Sequence, residues 1–95
     1  MTIEIKKKYF QLIESAEKEL ERDSLNSLEL LYQVDLKKIP LTDTNFFDLS
    51  FAKLDFLSTN FSAKLVTKEA QHVIQHCLDE ENLIGVARIN NYLID

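Results

Sequence analysis

The sequence predicts an all-α fold, a single compact antiparallel bundle of four to five helices that forms one domain over residues 1–95. Three observations favour this fold class. Apolar residues recur at spacings of three and four along most of the chain, which is the period of an amphipathic helix. One Gly and one Pro occur in the whole sequence, fewer than the turns of an all-β fold require. The hydrophobic fraction of 45% and the charged fraction of 28% are typical of a globular chain.

The first predicted helix runs from about Ile3 to Arg22 and has one apolar face. At the helical period its core positions fall within a single arc of about 100°; they are Ile5, Tyr9, Leu12, Ile13, Ala16 and Leu20. Ile3 and Phe10 lie outside this arc, so they either contact a neighbouring segment or form a small exposed patch. The three lysines at 6–8 fan around the helix, and we interpret them as its solvated start.

The second predicted helix begins at Asp23 or Ser24, since either residue can cap it. Its apolar positions continue to Ile39, where we expect the helix to end because Pro40 disfavours helical geometry in the residue before it. Residues 40–44 form the clearest loop in the chain. The Thr and Asp residues of this loop supply the N-cap of the next helix.

The third predicted helix, Asn45 to Phe61, is the most apolar segment, and five of the six phenylalanines lie in it. Its apolar residues cover most of the circumference, which is typical of the buried centre of a bundle. Only Asp48, Asp55 and Thr59 gather on a narrow polar stripe. The alternative is that some of the aromatic rings form a groove for a partner.

After a short link at residues 62–66, Thr67 is the expected N-cap of a fourth helix, with Glu69 in its first turn. The apolar stripe of this helix consists of Ala70, Val73, Ile74, Cys77 and Leu78. Residues 79–82 break or bend the chain, and Leu83 to Ile94 forms the last segment. We expect that segment to be a helix, because a strand beginning at Leu83 would have nothing to pair with. Its apolar residues lie broadly on one side; they are Leu83, Val86, Ala87, Ile89, Leu93 and Ile94.

His72 and His76, four residues apart, are the obvious candidates for a metal site, because imidazoles at this spacing can share a zinc ion. The zinc-protease motif has Glu directly after its first His, however, and Val73 stands there. We therefore interpret the pair as part of a solvated face, with a metal site and a pH-sensitive partner contact as alternatives. Cys77 falls within the apolar stripe and is expected to be a buried structural thiol. We predict no catalytic residues, cofactor or metal, and hence a protein that is not an enzyme.

The net charge of −5 is concentrated toward the C-terminus. Residues 1–22 carry five basic and five acidic side chains, whereas residues 67–95 carry two basic and five acidic ones. An acidic region repels phosphate backbones, so we expect no nucleic acid and favour a basic protein partner. The single cysteine forms no intramolecular disulfide, and no apolar stretch is long enough for a signal segment or an integral membrane segment. We therefore expect a cytoplasmic protein.

The segment LDFLSTNFSAKLVTKEAQHVI, Leu54 to Ile74, resembles the hairpin between the third and fourth helices of the small bacteriocin immunity proteins of Gram-positive bacteria. Those proteins are similar in size and form antiparallel helical bundles. The resemblance implies that Lys64 and Leu65 belong to the hairpin and that Thr67 caps the fourth helix. One departure is that the family tends to have a flexible C-terminal tail important for specificity, whereas this chain ends in an apolar segment. The resemblance implies that the protein acts without catalysis. It would protect the cell that produces it by binding a toxin or a toxin–receptor complex.

The resemblance and the charge distribution predict the same class of protein, a small acidic inhibitor of the immunity or antitoxin type. An acidic face would speed association with a basic toxin and select for it. The residues that we expect to contact a partner are Asp79, Glu80, Glu81, Glu69, Asp48 and Asp55. The alternative is that these carboxylates only keep a bundle in solution.

The competing functional class is a structural subunit of a larger assembly or a homo-oligomer. In that case the contact would be apolar, formed by Ile3, Phe10, Ile84 and Tyr92. The salt dependence of association distinguishes the two classes, because charge pairing weakens in salt and apolar contact does not.

Overall fold

The computed structural model describes residues 2–94, which contain five α-helices, one short 3-10 helix and no β-strand. The predicted all-α helical fold is confirmed. The α-helices are α1 (Thr2–Glu19), α2 (Ser24–Tyr32), α3 (Asn45–Asn60), α4 (Ala63–Asp79) and α5 (Leu83–Ile94), and the 3-10 helix is Leu36–Lys38. The predicted choice of helix over strand for the last segment is therefore correct.

Contacts divide the chain into two units, Met1–Lys53 and Leu54–Asp95, and the boundary lies inside α3. The first unit contains α1, α2, the 3-10 helix and the first half of α3. The second unit contains the rest of α3 together with α4 and α5. The organisation into a single domain stays a prediction from the sequence.

In the first unit, α1 and α2 pack against each other through two small, fully buried residues, Ala16 and Ser27. The Ser27 hydroxyl donates a hydrogen bond of 2.6 Å to the Ala16 carbonyl. That carbonyl belongs to the last turn of α1, where the final four carbonyls have no partner within the helix. The small side chains thus allow close approach, and the hydroxyl satisfies a backbone group that the end of the helix leaves open.

Helix α2 begins as predicted, with the Asp23 side chain accepting from the Asn26 amide, but it ends at Tyr32 and not near Ile39. The Asp35 carboxylate accepts from the Lys37 amide at 3.1 Å and starts the separate 3-10 helix. Short polar side chains compete in this way with a continuing helix.

The carbonyl of Val34, just beyond α2, accepts a hydrogen bond of 2.9 Å from the ammonium group of Lys53. Lys53 is buried, and its nitrogen also lies 5.5 Å from the centroid of the Tyr32 ring. A buried cation requires such partners, because removing it from water is costly. Lys53, a residue of α3, therefore connects this helix to the end of α2.

Helix α3 has almost the predicted bounds, and most of its apolar side chains are buried, as its pattern indicated. The buried members are Phe46, Phe47, Leu49, Leu54, Phe56 and Leu57. The predicted polar stripe of Asp48, Asp55 and Thr59 is exposed. Even with this apolar helix, residues 2–94 include no helical segment with the length and hydropathy that crossing a membrane requires.

The start of α3 is tied to α1 by Lys6, which corrects the prediction that all three lysines at 6–8 are solvated. The Lys6 ammonium group lies 3.1 Å from the Asp43 carboxylate and donates to Asn45 Oδ1 at 3.1 Å. The Asp43 carboxylate also accepts from the Asn45 amide at 2.9 Å, so the loop does supply the predicted cap. This amide, followed by the Lys6 side chain, lowers the pKa of Asp43 below its usual value.

Helix α4 begins earlier than predicted. Ser62 is its N-cap, with the hydroxyl accepting from the Leu65 amide at 3.3 Å, and Thr67 is an exposed residue inside the helix. Thr67 is therefore not the N-cap that both the sequence pattern and the resemblance implied. Both Ser62 and Thr67 are suitable cap residues, and the earlier one prevails because the sequence between them favours helix.

Helix α5 packs against α4, but with a different face from the predicted one. Gly85 and Ile89 are its buried residues, whereas Leu83, Leu93 and Ile94 are exposed. Gly85 has no side chain, so the backbone of α5 can lie close to its neighbour at this position. The face of α5 that contains the one glycine of the chain is thus buried, and part of the apolar surface of the helix faces outward.

Replacing Ser27 by Ala is expected to lower the free energy of unfolding by about 1–2 kcal/mol, because the buried Ala16 carbonyl loses its hydrogen bond. For a chain of this size that corresponds to a fall of roughly 4–16 °C in Tm. The matched control is Ser15→Ala, at an exposed position of α1, where we expect a change within about 0.5 kcal/mol. Equal unfolding free energies for the two variants in urea titrations would contradict this role of Ser27.

Candidate protein-binding surface

Three consecutive carboxylates lie where α4 ends and α5 begins. Asp79 is the last residue of α4, and Glu80 and Glu81 follow it in the connection. All three side chains are exposed, as the prediction of a partner-facing surface requires. We call these three residues the acidic corner.

The backbone of the acidic corner is fixed by hydrogen bonds at both helix ends. The Asn82 amide donates to the Cys77 carbonyl at 2.7 Å, and the Glu81 amide donates to the Leu78 carbonyl at 3.0 Å. This pair of bonds is the Schellman motif that ends many helices. The Asn82 side chain then accepts from the Gly85 amide at 2.9 Å and caps α5. The carboxylates are therefore attached to a turn whose backbone hydrogen bonds define its shape.

Glu81 occupies the position of the Schellman motif that glycine usually takes. Its φ of 56° lies in the left-handed region, and among the described residues it is the only non-glycine residue with a positive φ. For a residue with a Cβ atom this conformation costs roughly 1–2 kcal/mol. The acidic corner thus includes a glutamate at a position where its side chain lowers the stability of the fold.

The salt bridges Lys6–Asp43, Lys18–Glu14 and Arg22–Glu19 all lie in the first unit, away from the sequence of the acidic corner. Asp79 accepts a hydrogen bond of 2.9 Å from the Gln75 side chain, which carries no charge. Three neighbouring exposed carboxylates produce a negative potential at the surface, and such a potential attracts basic partners.

The two carboxylates of α3 fall in different units. Asp48, in the first unit, is exposed and accepts from the Asn45 side-chain amide at 3.2 Å. Asp55, in the second unit, is exposed and accepts a hydrogen bond from the Tyr92 hydroxyl. Asp55 is therefore partly engaged within the unit, although a carboxylate has further lone pairs with which to accept from a partner.

Glu69 is not a surface residue and has to be removed from the predicted partner-facing set. Its exposed fraction is only 8%. It is three residues after Val66 and four before Val73, and both of these valines are buried. This spacing places Glu69 on the buried face of α4, and the same spacing could have indicated it in the sequence.

Exposed apolar side chains flank the acidic corner, and sequence reasoning had assigned most of them to the core. Leu78 precedes the corner on α4, and Leu83 and Ile84 follow it on α5; all three are exposed. For Leu83 and Ile84, the one sequence signal is Gly85, because a glycine in a helix can allow close approach of a neighbouring element on its own face. The surface around the corner is therefore both acidic and apolar.

The histidine and cysteine side chains of α4 have different environments. His72 is exposed and His76 is half-buried. Among residues 2–94, no three His, Cys, Asp or Glu side chains come together as a group that would hold a metal ion. Cys77 is buried, as predicted, and this burial raises the pKa of its thiol above the usual value.

Comparisons with the models of protein families, with curated proteins and with solved structures find no match to this chain.

Replacing Glu81 by Gly is expected to raise the free energy of unfolding by about 1 kcal/mol, because glycine adopts a positive φ without steric cost. Tm should rise by about 4–8 °C. The matched control is Glu80→Gly, which removes the same charge at a φ of −94°. That variant should lose roughly 0.5–1 kcal/mol, because glycine there only adds freedom to the unfolded chain. Thermal unfolding of both variants tests the difference, and a loss of stability in both would contradict it.

The Tyr92–Asp55 pair predicts a loss of stability at high pH. Burial, followed by the hydrogen bond to Asp55 and the charge of Asp55, raises the pKa of Tyr92 to about 12. The unfolded value is about 10, so this contribution to folding is complete below pH 10 and disappears as the pH rises from 10 to 12. Tyr92→Phe should therefore flatten this part of the stability curve.

Absorbance at 295 nm in wild-type and Asp55→Asn proteins tests the cause. The Asn side chain keeps an acceptor but removes the charge, so Tyr92 should ionise at a lower pH in this variant. Identical titrations of the two proteins would show that Asp55 does not affect Tyr92.

Proposed function

We propose that this protein is a non-enzymatic binding module, an inhibitor of the immunity or antitoxin type that neutralises a basic toxin or toxin complex in the bacterial cytoplasm. The observation that supports this proposal best is the acidic corner, formed by the exposed residues Asp79, Glu80 and Glu81. The corner presents three carboxylates on a turn with a defined hydrogen-bond pattern. A rigid array of like charges is suited to recognising a surface of opposite charge.

The electrostatics favour fast and selective association. The chain has a net charge of −5, and residues 67–95 contribute −3 of it through five acidic and two basic side chains. Complementary potentials raise association rates well above those of neutral surfaces and disfavour partners of the wrong charge. Inhibitors that must capture a toxin before it acts benefit from both effects. Asp55 is a further exposed carboxylate of the second unit.

The conformation of Glu81 supports a role for the corner beyond solubility. A glutamate with a φ of 56° lowers stability where glycine would not. Strained residues are concentrated at functional sites, where the strain accompanies a required side chain. A carboxylate needed only for solubility would be equally effective at a neighbouring position without this cost.

The resemblance to the bacteriocin immunity proteins supports the same class of function. The all-α fold agrees with it, while Thr67, the cap that the resemblance implies, lies inside α4. The proposal therefore rests on the charged surface more than on the hairpin. A cytoplasmic location suits the one buried cysteine, Cys77, whose thiol stays reduced there without a disulfide partner.

A pull-down from the lysate of the native host, with mass spectrometry of the bound proteins, tests the proposal. The bait is the wild-type chain or the triple variant Asp79→Asn, Glu80→Gln, Glu81→Gln. We expect wild type to retain one basic protein that elutes in about 0.5 M salt, where the Debye length falls to a few Å, and the triple variant to lose it. The purified protein should then suppress the toxic activity of the captured partner.

The matched control is the triple variant Glu17→Gln, Glu21→Gln, Glu29→Gln, which removes three exposed charges from the first unit. It should bind as wild type does. Equal loss in both triple variants would mean that net charge alone is responsible. Recovery of a salt-resistant complex, or of the bait alone, would contradict the inhibitor proposal.

The second candidate function is that of a structural subunit or homo-oligomer. The observation in its favour is the exposure of Ile3 and Phe10, seven residues apart on α1. Ile84 is exposed as well, but Tyr92 is half-buried and bonded to Asp55, so it fits an apolar contact poorly. A dimer or larger complex that persists in high salt would support this function over the inhibitor.

A further inference from the structure

The outward face of α5 is an apolar stripe. At the helical period, Leu83, Ala87 and Ile94 fall within an arc of about 40°, on the side opposite the buried residues Gly85 and Ile89. The exposed fractions are 70% for Leu83 and 82% for Ile94. We call this set, with the neighbouring Ile84 at 77% exposure, the α5 stripe.

The acidic corner lies at the N-terminal end of the α5 stripe. Leu83 follows the corner after a single residue, Asn82, and Leu78 immediately precedes it. The hydrogen bond from Asn82 to the Cys77 carbonyl brings the two helix ends together at this point. Exposed apolar side chains and three carboxylates are thus parts of one continuous surface within the second unit.

We infer that the α5 stripe and the acidic corner together bind an amphipathic helix of the partner protein, one whose apolar face is followed by Lys or Arg residues. This inference rests on the proposed function, and it adds the structural class of the ligand and the apolar half of the interface. The apolar side chains of the partner helix contact Leu83, Ile84 and Ile94. Its cations contact Asp79, Glu80 and Glu81.

The dimensions of the α5 stripe match such a ligand. Helix α5 has 12 residues, so it is about 18 Å long, and this length accommodates about three turns of a second helix. A helix docked on an apolar surface supplies anchors at spacings of three, four and seven residues. Apolar contact of this kind adds to the affinity, whereas the acidic corner provides orientation, rate and the salt dependence of binding.

Charge complementarity favours a basic ligand over a second copy of this chain. Residues 79–94 carry three carboxylates and one cation, Arg88. Two copies packed through the α5 stripe in parallel would bring their acidic corners together. Packed in antiparallel fashion, they would set each corner against the negative C-terminal end of the other helix. A helix with Lys or Arg at one end avoids both repulsions.

The probe for this inference is a synthetic 14-residue amphipathic helical peptide with Leu on one face and Lys at one end. The comparison peptides are a scrambled sequence of the same composition and a version with Glu in place of Lys. Fluorescence anisotropy should show binding of the Lys peptide at least tenfold tighter than that of either comparison peptide. Amide chemical-shift changes should be concentrated at Leu78–Ile94.

Two pairs of variants separate the apolar from the charged contribution. Leu83→Gln with Ile94→Gln should weaken binding of the Lys peptide at least tenfold. The matched control is Ile3→Gln with Leu25→Gln, which replaces two exposed apolar residues of the first unit and should leave Kd unchanged. The triple Gln/Asn variant of the acidic corner should weaken binding and reduce its salt dependence. Circular dichroism confirms that each variant is folded.

The outcomes distinguish this inference from the proposed function. If the Leu83/Ile94 variant binds as wild type does while the acidic-corner variant does not, the apolar interface is wrong and the charged surface remains supported. If neither variant changes the binding of the Lys peptide or of the captured partner, both the inference and the proposed function are wrong. Equal binding of the scrambled peptide would also overturn the inference, because it would show that a helical face is not recognised.

Discussion

The fold depends on ending its helices in a chain that has one Gly and one Pro. Each helix leaves backbone groups without partners at both ends, and polar side chains have to satisfy them. The side chains that accept from amides near helix starts are Asp23, Asp35, Asp43, Ser62 and Asn82. At the C-terminal side, Ser27 donates to the last turn of α1, and Lys53 donates to the carbonyl that follows α2. Helix lengths and connections follow from these contacts.

This constraint explains which parts of the fold could be predicted. The number and type of the helices follow from apolar spacing, which for α3 gave both bounds to within one residue. The end of α2 and the start of α4 were predicted wrongly, because several consecutive residues there are competent caps. Ser62 and Thr67 are both hydroxyl residues, and the earlier one is the cap because the residues between them favour helix. At the end of α2, the Val34 carbonyl accepts a hydrogen bond from Lys53, and periodicity contains no information about such a tertiary contact.

The candidate surface was predictable only in its charge. Asp79, Glu80 and Glu81 form a run in the sequence, and acidic residues in a run between two helices are mostly exposed. Glu69 shows the limit of this reasoning, since its position on the face of Val66 and Val73 outweighs its charge. The apolar part of the surface was not predicted, because α5 buries the face of Gly85 and Ile89. The mean direction of the apolar residues of α5 predicts that Leu83 and Ile94 face the core. In the structure the buried residues are Gly85 and Ile89.

The acidic corner combines two requirements that act against each other. Ending α4 and starting α5 within three residues calls for a left-handed residue, and glycine would satisfy that requirement at the lowest cost. Under the proposed function, recognition of a basic partner calls for an exposed carboxylate at the same position. Glu81 supplies the carboxylate, but its left-handed conformation lowers the stability of the turn. Asn82 stabilises the same turn, because its side chain caps α5 and its amide donates to the Cys77 carbonyl at the end of α4. Under the proposed function, the stability that Glu81 costs is balanced by the carboxylate that it contributes to the acidic corner.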